Sequence, residues 1–300
     1  MKFSFSAIAA VAVALLGSSE AAIIAKRDVS IPDYVKGFKG TTYTPYDKDY
    51  NCRTPAQIRT DVSYLKDFPY IRLYSNACSV VQYALEALDD SQKLVVALND
   101  VSSTEALQNE IWSIAASCGF AGKQFNDVVD TVIVGNELVY NNWYSADQVK
   151  GFVETVKSLL STFPGHILTA DTVSSYYGNP SLCEFNDYIG INSHPFFDNS
   201  TAEGAGDYVL SRIQAVWQFC HEHGYDRDVV VLETGWPSSG LPYNNAIPGV
   251  EEQKIAVKAI QSTSAASSFL FSAYNELWKS QNEWHVEKSF GVLGDAPSTA

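Results

Sequence analysis

The chain has 300 residues and a formal net charge of −14. A surface that acidic repels phosphate backbones and anionic lipid, which argues against nucleic acid and membrane surfaces as partners and suits a neutral polymer. Five cysteines with no Cys-x-x-Cys pair point away from a zinc site, and no motif calls for a cofactor.

In chain order, Lys2 precedes an apolar run from Ala7 to Leu16 and then Gly17-Ser-Ser. This pattern reads as a signal peptide over residues 1–22, because the run is shorter than the roughly 20 apolar residues that cross a bilayer. Lys26-Arg27 is a dibasic pair at which a pro-segment would be trimmed, leaving residues 28–300 as the mature chain. No Pro/Ser-rich linker divides that stretch, so one domain is expected, acting as a monomer. The end, Gly294-Asp-Ala-Pro-Ser-Thr-Ala300, lacks the hydrophobic tail of a lipid-anchor signal. A secreted chain meets oxidising conditions, so some of Cys52, Cys78, Cys118, Cys183 and Cys220 should pair, with at least one left over. Asn199-Ser-Thr201 is an acceptor sequence for an N-linked glycan.

Eight β-like runs follow one another: Phe38–Tyr43, Tyr70–Tyr74, Leu94–Leu98, Thr131–Val134, Ile167–Ala170, Tyr188–Ile191, Val229–Leu232 and Phe269–Ala273. Their apolar, β-branched character is that of strands buried on both faces. Helical patterns lie between them. Thr54 with Gln57 predicts a capping box and a helix to about Lys66, and Ser145 opens another to about Leu160. Val209–Cys220 and Glu251–Ile260 read the same way. Strand-helix alternation repeated eight times predicts an α/β fold of the (β/α)8 TIM-barrel type. A doubly wound open sheet competes, but no glycine-rich phosphate turn follows any strand.

In such a barrel, chemistry sits just after the strands. Glu137 ends the run Thr131 to Asn136, and Glu233 ends Val229 to Leu232. Two carboxylates converging on one cleft are the minimum equipment for breaking a glycosidic bond. Other tips carry Thr42, Tyr43 and Tyr46, then Tyr74, then Asn192 and His194 to Phe197, then Trp236, then Glu276, Trp278 and Lys279. Aromatic faces pack on pyranose C–H groups while amides and acids take the hydroxyls, so Tyr43, Tyr46, Tyr74, Phe196, Phe197, Trp236 and Trp278 are candidate sugar contacts. His194, followed by proline and without a partner histidine, reads as a substrate contact rather than a metal ligand. His221 and His223 are two residues apart and do not share a helix face. Asp171 reads equally as a cleft residue or a helix cap.

The set Val134-Gly-Asn-Glu137, Glu233-Thr-Gly-Trp-Pro-Ser238 and Ile71-Arg-Leu-Tyr74 resembles glycoside hydrolase family 17. Gly40-Thr-Thr-Tyr-Thr-Pro-Tyr46, the loops holding Cys52 and Cys78, and Phe290-Gly-Val-Leu293 resemble its fungal cell-wall β-1,3-glucanases. The resemblance implies a secreted, retaining enzyme of the cell wall that acts on β-1,3-glucan, most simply an endo-1,3-β-glucosidase. It makes Glu137 the general acid/base and Glu233 the nucleophile. Arg72 and nearby tyrosine hydroxyls would keep Glu233 ionised, and Asn136 would meet the sugar 2-hydroxyl. Glu276 and Lys279 would form a supporting network, with Glu283 and Lys288 as further members. Cys52 and Cys78 would join neighbouring barrel loops at the cleft face. A β-1,3-glucanosyltransferase would use the same residues, and a non-catalytic glucan-binding wall protein would not need both glutamates.

Overall fold

Eight parallel strands close into a barrel in sequence order, with β1 paired to both β2 and β8. They are β1 Gly40–Tyr43, β2 Tyr70–Leu73, β3 Lys93–Leu98, β4 Val129–Asn136, β5 His166–Thr172, β6 Ile189–Asn192, β7 Val229–Thr234 and β8 Ser268–Leu270. The computed structural model describes residues 31–299; the expected signal peptide and the dibasic pair lie outside the described residues. The helices are α1 Pro55–Ser63, α2 Val80–Leu85, α3 Thr104–Phe120, α4 Phe125–Val128, α5 Ala146–Leu159, α6 Val173–Gly178, α7 Ala205–Glu222 and α8 Val250–Ser264. No helix among the described residues is long and apolar enough to cross a membrane.

Side chains alternate across each strand, and the alternation builds two apolar layers. On β3, Leu94, Val96 and Leu98 join the layer under the helices, while Val95 and Ala97 join the barrel interior with Ile133, Leu168, Val230, Leu232 and Phe269. On β2 the same alternation places Ile71 and Leu73 outward and aims Arg72 inward, where it is fully buried.

Local sequence explains the helix starts. Thr54 and Gln57 form the expected capping box on α1, and Ser145 and Gln148 form one on α5. Several expected helix bounds shift, with α8 running on to Ser264 rather than Ile260. α1 stops at Ser63 because the chain tightens there, with Leu65 N–H donating to the Val62 carbonyl. α7 starts earlier than Val209, after a turn in which Thr201 Oγ1 accepts from Gly204 N–H.

Strand ends shift from expectation throughout, and the differences in β4 and β8 shape the cleft. β4 runs on to Asn136, but its register against β5 shifts between Ile133 and Asn136. Gly135 at φ +71° makes that shift, and a side chain there would collide with Leu138. β8 stops at Leu270 rather than Ala273. Beyond it, Val292 and Leu293 N–H donate to the Ser272 and Ala273 carbonyls, so Phe290-Gly-Val-Leu293 runs beside this stretch.

Cys52–Cys78 is a disulfide joining the loop after β1 to the loop after β2. A second bridge, Cys183–Cys220, ties the segment after α6 to the end of α7, and Cys118 is a buried free thiol. Cys52–Cys78 spans 26 residues, so replacing both by serine should cost about 3.5 kcal/mol through the freed unfolded chain. A urea titration should show the midpoint fall; an unchanged midpoint would mean that the two loops are fixed without the bridge.

Candidate active site

The strand tips surround a cleft of about 960 Å³. Glu233, near the end of β7, is 6 % exposed. Its Oε1 accepts from Tyr74 Oη at 2.7 Å and from Arg72 Nη1 at 3.0 Å, and its Oε2 lies 3.3 Å from His194 Nε2. Arg72 also donates to the Leu232 carbonyl at 2.8 Å and to Asn136 Oδ1 at 2.7 Å. Burial alone would push the Glu233 carboxyl up. The Arg72 charge, with His194 and the Tyr74 hydroxyl, outweighs it and holds the group down to about 2.

Glu137 follows β4 with φ +54°, a left-handed conformation set up by the Gly135 bulge. Its N–H donates to the Ala170 carbonyl at 2.8 Å, which ties it to β5. Asn192 Nδ2 donates to Glu137 Oε1 at 2.8 Å and to Asn136 Oδ1 at 3.1 Å. Burial raises the Glu137 carboxyl above the ordinary carboxylate range, and the negative charge of Glu233 raises it further against the Asn192 bond. One carboxyl of the pair is therefore held ionised and the other is biased toward its protonated form.

Glu276 and Lys279 form an ion pair of 2.7 Å with Glu276 only 4 % exposed, and Thr44 Oγ1 donates to Glu276 Oε1 at 2.8 Å. Burial alone would lower the Lys279 ammonium; the Glu276 charge overrides it and raises the group. Lys279 Nζ also lies 4.2 Å from the centre of the Phe271 ring. Trp278 Nε1 donates to Thr44 Oγ1, and its ring meets those of Tyr46 and Tyr50, both at 5.3 Å.

Not every expected contact reaches the cleft. Trp236 and Phe196 are fully buried, edge to face at 5.5 Å, and line no part of it; Trp236 Nε1 is spent on the Ile247 carbonyl. They belong to the apolar layer between the barrel and the helices, where Trp236 also accepts at its carbonyl from Gln253 of α8. Arg72 is likewise sealed below the surface and meets Glu233 and Asn136 instead of open space. Tyr43 reaches the wall with its ring, while its hydroxyl donates to the buried Asp61. Asn136, Tyr74, His194, Phe197, Trp278, Glu276 and Lys279 all line the cleft. Glu283 is exposed and outside it, and Glu287 occupies the wall there. Asp171 caps no helix: its carboxylate accepts from Val139, Tyr140 and Thr172 N–H, which clamps the loop after β4 to the end of β5. The cap of α6 is Thr172. His221 stacks on Trp217, and His223 Nδ1 meets the Phe219 carbonyl. Asn199 is exposed, with its Oδ1 accepting from Asn245 N–H.

Sequence reasoning missed Tyr50, Tyr140, Tyr177, Arg212 and the role of Asn192. Asn192 was legible as a polar tip of strand six. Tyr50 and Tyr140 sit in loops, Tyr177 on the short α6 and Arg212 on α7, where no periodicity marks them.

The BtgE/BtgC glycoside hydrolase domain matches residues 40–291. The chain is 39 % identical over 260 residues to the probable family 17 glucosidase SCW10 of Saccharomyces cerevisiae, covering 86 % of this chain and 65 % of that protein. It is 37 % identical over 262 residues to the cell surface mannoprotein MP65 of Candida albicans, covering 86 % and 67 %. The chain thus spans about two thirds of the length of these relatives. Among solved structures, an active-site mutant of the Rhizomucor miehei β-1,3-glucanosyltransferase in complex with laminaritriose has a TM-score of 0.70 at 21 % identity, covering 87 % of this chain and 96 % of that one. An endo-laminarinase from Formosa Hel1_33_131 has a TM-score of 0.69 at 18 % identity, covering 86 % and 83 %. Both share the barrel fold. With a family match over nearly the whole barrel and curated relatives above a third identical, the chain belongs to glycoside hydrolase family 17, in its BtgE/BtgC group.

Proposed function

We infer that this protein cleaves β-1,3-glucan of the cell wall by a retaining, double-displacement mechanism. The observation that carries this reading is the opposed bias of the two carboxyls: Glu233 held ionised by Arg72, Glu137 pushed toward its protonated form by burial and by Glu233. A nucleophile and a general acid need those two states at one pH. Oε1 of Glu233 is held by Tyr74 and Arg72, whereas Oε2 has only the longer 3.3 Å contact with His194, so Oε2 is the oxygen that attacks the anomeric carbon. Glu137 gives its proton to the departing glycosidic oxygen. In the second step, Glu137 takes a proton from water or a sugar hydroxyl, that oxygen attacks the same carbon, and Glu233 is released. The substrate class rests on the relatives and on the cleft, whose rings, amides and acids match a sugar chain. Rings stand on both sides of the carboxyl pair, Tyr46, Tyr50 and Trp278 near β1 and β8 and Tyr140 and Tyr177 near β4 and β5, which supports cleavage within a chain. Secretion to the wall fits the two disulfides and the cell surface description of the Candida relative.

Proton NMR of fresh products from laminari-oligosaccharides should show the β anomer first, since two inversions restore the configuration. An initial α signal would overturn the mechanism. The same samples separate hydrolysis from transfer, because only transfer makes oligomers longer than the substrate.

Glu137→Ala should lower turnover by about 10²–10⁴-fold, the usual worth of general acid-base catalysis. With an activated aryl glycoside and added azide, the variant should form a β-glycosyl azide, because azide attacks the intermediate without a base. Failure of azide to rescue turnover would count against Glu137 as the acid/base.

The raised Glu137 carboxyl also has a sign in stability. The folded state holds its proton longer than the unfolded chain does, so this group costs stability as pH rises through the carboxylate range. Glu137→Gln should therefore melt higher than the parent at about pH 7 and lose that advantage toward about pH 3, where the carboxyl is protonated in both folded and unfolded states. A gain that is equal at both pH values would refute the raised titration.

A further inference from the structure

Tyr43 to Tyr46 and Tyr50 form the β1 wall of the cleft, and behind that wall lies a carboxylate that the mechanism does not use. Asp61 belongs to α1 and is fully buried. Three donors and one cation converge on it. Tyr43 Oη donates to its Oδ2 at 3.0 Å, Ser298 N–H to its Oδ1 at 3.0 Å and Ser298 Oγ to its Oδ2 at 3.1 Å, while Arg53 Nε lies 3.6 Å from Oδ2. The Asp61 carbonyl accepts from Tyr274 Oη at 2.7 Å. Ser298 is bonded in turn from the other side. Arg53 Nη1 donates to its Oγ at 2.6 Å, and Gln57 Nε2 donates to its carbonyl at 3.4 Å. The short turn Pro297–Thr299 is thereby held across α1 and the loop after β1.

Arg53 carries this node to the cleft. Its Nε donates to the Tyr46 carbonyl at 3.1 Å and its N–H to the Pro45 carbonyl at 2.8 Å. The Tyr46 ring meets Tyr50 at 4.6 Å and Trp278 at 5.3 Å. A gap of only about 10 Å³ remains among Arg53, Ala296, Tyr46 and Glu276, so a shift of the node presses on the wall. Stability alone does not account for Asp61. Burial pushes its carboxyl up against the Ser298, Arg53 and Tyr43 contacts, so folding disfavours the charged form. An apolar residue of similar volume would avoid that cost. What the carboxylate supplies is direction, since its two oxygens fix a phenol of β1, a guanidinium of the next loop and both polar groups of Ser298 at once.

We propose that Asp61 is a positioning residue for glucan binding: with Arg53 and Ser298 it sets the Tyr46, Tyr50 and Trp278 rings for sugar units on the β1 and β8 side, and it takes no part in the chemistry at Glu137 and Glu233. This assignment rests on the glucan-cleaving reading above. It gives residues far from the cleft in sequence, Ser298 above all, a share in how long a chain the cleft holds.

The test is steady-state kinetics on laminari-oligosaccharides, from the shortest that the parent turns over to the longest that dissolves. Asp61→Asn keeps the shape but turns one accepting oxygen into a donor. It should raise KM for the longest oligomers about tenfold, the equivalent of one aromatic contact, change the shortest less, and leave kcat unaltered. Ser298→Ala should raise KM in the same length-dependent way and add little to Asp61→Asn, because both act through one node. Trp278→Ala should cost the parent more than it costs the Asp61→Asn variant, whose rings are already displaced. Thermal melting checks the fold, and if Asp61→Asn does not fold, Ser298→Ala and Arg53→Gln carry the same comparisons. An unchanged KM at every length, a loss in kcat shared equally by short and long oligomers, or a Trp278→Ala loss that is the same in both backgrounds would overturn the positioning role. A parent that turns over no laminari-oligosaccharide would instead overturn the glucan reading, and this assignment with it.

Discussion

The site depends on a single buried cation. Arg72 sits in the barrel interior because strand alternation puts its neighbours Ile71 and Leu73 under the helices. A guanidinium out of water is costly unless it is paired and hydrogen-bonded. Here it finds Glu233, the Leu232 carbonyl and the Asn136 amide. Those three partners lie on β4 and β7, so one residue of β2 links three strands beneath the cleft. The same planar fork that satisfies the charge fixes where the Glu233 carboxylate stands.

The contrast between the two glutamates follows from that link. Both are largely buried, and burial pushes both carboxyls up. Glu233 meets the cation directly and falls far below its ordinary range. Glu137 has no such cation bonded to it: burial and the negative field of Glu233 outweigh the Asn192 bond and the more distant His194, so it rises. Asn136 and Asn192 stand between them as a neutral spacer that bonds to both halves of the network. A charge on either amide would shift the balance that separates the two carboxyls.

Around this rigid floor, the walls are made of loops held by different means. The Cys52–Cys78 bridge secures the loops after β1 and β2, and the Glu276–Lys279 pair with Thr44 joins the β8 side to the β1 side. Asp171 secures the loop after β4 by accepting from Val139 and Tyr140 N–H. These clamps matter for a polymer substrate, because a pre-set groove spends less of the contact energy on ordering itself. Glu137 gains from the same clamp, since its left-handed backbone is held by the β5 end and by the loop that follows.

Much of this was legible in the chain itself. The strand and helix periods identified the eight-fold repeat, the capping residues located α1 and α5, and the acids after β4 and β7 stood out because a buried run rarely ends in a carboxylate without a reason. These are local signals, carried by neighbours in sequence. The tertiary structure alone decided what each tip faces. Trp236 and Phe196 follow strands just as Tyr74 and His194 do, yet they pack into the layer between barrel and helices while the others line the cleft. Tyr140 comes from a loop, Tyr177 from α6 and Arg212 from α7, and they reach the cleft only because the barrel folds those segments over its mouth. The Cys183–Cys220 pairing and the clamp by Asp171 depend on distances between segments far apart in sequence. Alternation along a strand determines which side of the sheet a residue takes, but beyond the strand end no such rule applies, and packing against the rest of the barrel sets the direction.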